Sequence, residues 1–158
     1  MWIKSIGFEE IPAQSPLHHL HTCWTKCARD GRIPARAEID PVDLGASVIP
    51  WIVLLDVLRS GEELDYRYRL LGTANVNLLG IDRTGERLSD NLDAADVATI
   101  RTSFDDVVLT GKPVFTMAGL PHKRDFLVTV YRAFYPLAGH GVTVDMVIGA
   151  AIPEAVIR

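Results

Sequence analysis

The chain has 158 residues, 48% of them hydrophobic and 23% charged, a balance that supports one packed domain and argues against disorder. Its net charge of −4 offers no global basic field to hold nucleic acid or an anionic lipid surface. The N-terminus lacks the apolar core of a signal peptide, and the longest apolar run, residues 48–55, contains Pro50 and falls far short of the ~20 residues of a membrane span. The expectation is a cytoplasmic protein without membrane contact, in which Cys23 and Cys27 remain thiols.

In chain order, residues 1–14 read as irregular, with Pro12 as a breaker. Ser15-Pro16 resembles a helix start, and Leu17, Leu20, Trp24 and Ala28 recur at helical spacing until Gly31. Residues 1–30 are thus an N-terminal segment with a flanking helix, and 31–158 the main domain. Pro34 forces an extended stretch, and Asp40-Pro41 repeats the cap-plus-proline start of a brief helical turn. Residues 51–58 are apolar on both faces apart from Asp56 and read as a buried strand. A polar, glycine-containing connection of hairpin length then leads into 64–71.

The stretch 64–85 organises the rest. Leu64, Tyr66, Tyr68 and Leu70 alternate with Asp65, Arg67 and Arg69, the period of a half-buried strand. Gly72 breaks it, Thr73 caps a short helix carrying Val76, Leu78 and Leu79, and Gly80 stops that helix. Such a strand–helix–turn unit walls a small cavity. Asp93 opens a long helix with Val97, Ile100, Phe104, Val107 and Val108 as its buried stripe, ended by Gly111 and Pro113. Strands follow at 114–118, 126–137 and 142–151, with turns at 119–124 and 138–141. His122-Lys123-Arg124 reads as solvated charge in the first of these turns. Strands joined by tight turns pair antiparallel, so the class is α+β: a five-stranded antiparallel sheet with helices gathered largely on one face.

This order, and the phrase G-x-x-x-x-G-x-x-L at 80–88, resemble the PAS fold. Four phrases, I-P-A-R-A-E-I-D-P at 33–41, I-P-W-I-V-L-L-D-V at 49–57, Y-R-L-L-G-T at 68–73 and G-I-D-R-T-G at 80–85, together resemble a family of short, stand-alone bacterial PAS-like proteins. The resemblance covers about 31–153 and implies a sensory or regulatory module without established catalytic activity. It supplies no ligand. LOV-type flavin photosensors carry an asparagine-cysteine-arginine phrase beside the pocket, and photoactive-yellow-protein-like chromophores need a cysteine in the second half. No cysteine follows Cys27 here, and residues 93–110 lack the histidine usual in haem-binding PAS domains. No flavin, haem or other coloured cofactor is expected.

The candidate ligand-binding residues are Tyr66, Tyr68, Arg67, Arg69, Val76, Leu79 and Phe104. A guanidinium pairs well with carboxylate or phosphate, but Arg67 and Arg69 equally suit the outer sheet face, or a pairing with Asp56 across the hairpin. The tyrosines are either ligand contacts or core. His18, His19, His21, Cys23 and Cys27 are all potential metal ligands, yet one helix cannot close a tetrahedron with them, so no metal site is expected. There is no G-x-S-x-G, P-loop or H-E-x-x-H. An enzyme of the small cone-shaped isomerase kind, with Asp56 as a single buried acid, is the lesser reading.

The expected function is a non-catalytic sensor that binds a small molecule between sheet and helices and acts on a separate output protein, no kinase, cyclase or DNA-binding domain being attached. The alternative is an interaction module with a filled core. Counting faces adds a further expectation. Ile52, Leu54 and Leu58 need cover opposite the main helices, and one N-terminal helix ~10 Å wide cannot cover a sheet ~20 Å across. This predicts a homodimer through Leu17, Leu20 and Trp24.

Overall fold

The structure is a computed structural model that describes residues 1–90, 92–122 and 126–157; Lys123 and Arg124 of the basic turn lie outside the described residues. The strands are β1 (Trp2–Ser5), β2 (Ile52–Ser60), β3 (Glu63–Leu71), β4 (Val114–His122), β5 (Phe126–Leu137) and β6 (Met146–Pro153). The helices are α1 (Leu17–Cys27), α2 (Pro41–Val48), α3 (Thr73–Leu79) and α4 (Ala94–Thr110). One antiparallel sheet has the order β1-β4-β5-β6-β2-β3. The α+β class and the antiparallel hairpin are as the sequence predicts; β2 pairs with β3 on one side and with β6 on the other.

The sheet has six strands, not five. Trp2–Ser5 pairs with Gly119–Thr116, and four residues are too few to display a period. Its seat is shaped by Gly119, where a Cβ would stand 2.2 Å from the Trp2 indole nitrogen. The last strand begins at Met146 rather than 142, because Asp145 first closes the preceding loop by accepting from the Gly139 N–H at 2.8 Å.

Helix starts follow the local chemistry. The Ser15 hydroxyl accepts from Leu17 N at 3.2 Å, Asp40 caps α2 through Val42 N, and Asp93 caps α4 through Asp96 N. The cap of α3 is Gly72, one residue earlier than expected. A side chain there is excluded, since a Cβ would sit 2.2 Å from the Pro50 carbonyl oxygen.

The alternation along β3 also changes midway. Leu54 faces Leu70 but Leu55 faces Tyr68, so Arg69 is the extra residue of a β-bulge. Beyond the bulge the faces exchange: Leu70 is 44% exposed, and Leu71 is buried instead.

Strand periodicity sorts the core into two layers. Val53, Leu55, Tyr66, Phe134 and Val147 pack with Phe104 and Val107 of α4 on one face. Ile52, Leu54, Tyr135, Ile148 and Ile152 pack with Leu17 and Leu20 of α1 and Leu44 and Val48 of α2 on the other. The second face is therefore covered within the chain. α1 does not work alone; α2 and the segment carrying Ile11 and Ile39 complete the layer. Leu17 and Leu20 are 0% exposed, and the half-buried Trp24 donates its indole N–H to the Pro136 carbonyl at 2.9 Å. The face-counting argument for a homodimer fails on this point, because Leu17 and Leu20 have no surface left to offer a second copy.

Candidate ligand-binding site

Between α3, α4 and the first sheet face lies a cavity of about 270 Å³. α3 is pinned over it by Asn75, whose buried side-chain amide donates to the carbonyls of Trp51 at 2.6 Å and Ile52 at 3.2 Å. Gly80, left-handed at φ 78°, ends the helix and turns the chain towards Ile81 and Arg83. His122, at the end of β4, donates from Nδ1 to the Leu78 carbonyl at 2.7 Å and ties the far end of α3 to the sheet. The walls are mostly apolar: Leu78 and Leu79 from α3, Ile100 and Phe104 from α4, and Val53, Leu71, Phe134 and Ala151 from the sheet.

Into this lining projects Arg132 of β5, only 4% exposed. Its guanidinium carbon lies 4.8 Å from the Phe134 ring centroid and 5.9 Å from that of Phe104, a cation–π arrangement. Among the described residues no carboxylate pairs with it, and its Nη1 has no hydrogen-bond partner. Burial pulls its pKa down to about 10, the Tyr68 side chain acting against this, so it is charged at neutral pH. Across the strand pair, Thr116 is the direct neighbour of Arg132. The Thr116 hydroxyl, on a residue 1% exposed, is also without a partner. Two orphaned polar groups thus stand side by side on one sheet face.

Of the residues predicted for the site, Tyr68, Leu79 and Phe104 line this cavity. Burial pushes the Tyr68 phenol up, with the nearby Arg132 charge pulling it back. Val76 packs against the adjoining core. Tyr66 is fully buried beside α4, where its hydroxyl donates to Asp105 Oδ1 at 2.5 Å. Arg67 and Arg69 are not brought to the cavity; Arg69 reaches Asp56 at 3.6 Å, the pairing across the hairpin. This ion pair also occupies Asp56, which is not part of the cavity wall.

The sequence reading passed over Arg132 and Thr116. The signal lay in 130–135, V-Y-R-A-F-Y, where both alternating faces are apolar except for one arginine. A strand buried on both sides has no solvent face for a charge, so that arginine is either paired or kept for a ligand.

The histidine- and cysteine-rich helix is used structurally. His18 donates to the Pro12 carbonyl at 3.0 Å, His19 reaches the Asp43 carbonyl at 2.5 Å, and the thiols of Cys23 and Cys27 point to the carbonyls of Asp43 and Glu38. These contacts bind α1 to the segments beside it. Among the described residues no three His, Cys, Asp or Glu side chains gather as metal ligands.

A family model described as a PAS domain matches residues 13–152. The chain belongs to the PAS domain family. Among solved structures, this PAS domain is similar to the LOV protein of Rhodobacter sphaeroides at 14% identity and a TM-score of 0.50, covering 70% of this chain and 62% of that one. It is also similar to an RNA-binding light-oxygen-voltage receptor at 16% identity and a TM-score of 0.49, covering 96% of this chain and 38% of that one. The PAS domain thus spans less than two thirds of either protein, and the likeness to the first speaks for the fold alone. No curated protein sequence matches the chain. No described helix is long and apolar enough to cross a membrane.

Proposed function

We propose that this PAS domain is a non-catalytic sensory or regulatory module that binds a small molecule in the cavity beneath α3 and α4 and signals through contact with a separate protein. The observation that carries this reading is the cavity itself, apolar in most of its lining yet holding a buried guanidinium that has no ion-pair partner, and whose Nη1 has no hydrogen-bond partner, among the described residues. A core that served packing alone has no use for such a group, since an uncompensated buried charge costs several kcal/mol. The size supports a small occupant. An engineered apolar cavity of about 150 Å³ takes benzene, so 270 Å³ suits an occupant of about eleven non-hydrogen atoms. Both cysteines lie on α1, whose core contacts are on the opposite sheet face, away from any adduct chemistry in the cavity.

Native mass spectrometry of the purified full chain tests the reading. The expected result is an excess mass of a few hundred daltons or less that disappears on denaturation. Equal native and denatured masses, with no stabilisation by any small molecule, favour the alternative of an interaction module that acts through its surfaces.

A further inference from the structure

We propose that the occupant is a small monocarboxylate with an apolar body, its carboxylate held by the Arg132 guanidinium of the cavity wall, with the Thr116 hydroxyl just behind that wall on the neighbouring strand. This rests on the reading of the cavity as a ligand site and adds the chemistry of the ligand. Arg132 and Thr116 are register partners on β5 and β4, and each has a buried donor without a partner among the described residues. Of the buried side-chain polar atoms among the described residues, the only other orphan is Arg101 Nε. A carboxylate supplies acceptor oxygens to guanidinium and hydroxyl at once. On the other side of Arg132 the register partner is Ala151, which like Arg132 lines the cavity.

The charged groups of the wall favour a monoanion. Arg83, the other arginine of the lining, is engaged with Glu86 at 3.3 Å, and Asp96 adds a carboxylate to the same wall. Arg132 is thus the one lining arginine without an ion-pair partner among the described residues, which suits a single carboxylate, while the Asp96 carboxylate disfavours a phosphate dianion. The ligand's body then lies against Phe104, Phe134 and Leu79, where only apolar contact is on offer.

The test is thermal unfolding of the full chain with a defined panel: hexanoate, benzoate and 3-phenylpropanoate, the primary amide of each, and inorganic phosphate. At a hundredfold excess over Kd, a carboxylate of the right shape raises the melting temperature by about 5–10 °C, and its amide needs at least tenfold more. Arg132→Met keeps the volume and removes the charge; it raises the melting temperature of the unliganded protein and abolishes the carboxylate-dependent shift. Thr116→Val weakens the carboxylate about fivefold, and carries the test should Arg132→Met not fold. If the amides bind as well as the acids, or phosphate binds better, the cavity still takes a ligand and the carboxylate assignment falls. An Arg132→Met protein that keeps the carboxylate-dependent shift, or a Thr116→Val protein with unchanged carboxylate affinity, overturns the assignment as well. If nothing in the panel shifts the melting temperature and the native mass is bare, the reading of the cavity falls with it.

Discussion

Two tyrosines two positions apart on one strand face show how little residue type says about role. Tyr66 and Tyr68 both point from β3 towards α4, but Tyr66 is locked to Asp105 at 2.5 Å while Tyr68 forms cavity wall. Burial pushes the Tyr66 phenol up, and its hydrogen bond to the Asp105 carboxylate adds to the rise. A neutral hydroxyl donating to a carboxylate contributes about 1.5–3 kcal/mol. Tyr66→Phe is therefore expected to lower stability by about that amount in urea denaturation and to leave ligand affinity unchanged. A loss below about 0.5 kcal/mol means that the bond contributes nothing net.

At the scale of elements, α1 is held by a small aromatic assembly rather than by its leucines alone. His21 stacks on Phe8 with ring centroids 4.0 Å apart, and its Nδ1 and the Tyr135 hydroxyl share a hydrogen bond at 3.0 Å. Burial lowers the His21 pKa below its usual 6.5, and the neighbouring His18 lowers it further. Because the folded value is depressed, the unfolded chain binds more protons as pH falls through 6.5. Stability is complete above that value and declines beneath it until the folded pKa is reached. The melting temperature is expected to fall between pH 7.5 and pH 5.5, and the fall should be smaller in His21→Gln, which has no ring to charge. Identical pH profiles for the two proteins count against a neutral His21 as a fastener of this element.

For the whole molecule, the consequence is that the N-terminal segment belongs to the core. Without residues 1–30, Leu54, Tyr135, Ile148 and Ile152 lose Leu17, Leu20 and Ile11, which uncovers an apolar area larger than monomers usually tolerate. The chain lacking residues 1–30 is expected to aggregate or to lose cooperative unfolding, as measured by sedimentation and near-UV circular dichroism. A truncated chain that stays soluble, monomeric and cooperative makes α1 an accessory after all.

What the sequence determined by itself was what short-range chemistry can specify. Caps at Asp40 and Asp93, stops at Gly80 and Gly111, the period of α4 and the alternation in the first half of β3 all act within a few residues, so they could be read without the fold. The family phrases added the resemblance to the PAS fold. Only the tertiary structure decided the rest, because it depends on residues far apart in the chain. β1 is a strand through its pairing with β4, some 110 residues away, and the bulge at Arg69 exists only relative to β2. The second face closes because α1 and α2 pack side by side. The site followed the same division. Tyr68, Leu79 and Phe104 could be read from local pattern, but Arg132 and Thr116 gain meaning only from strand register, burial and the absence of a described partner.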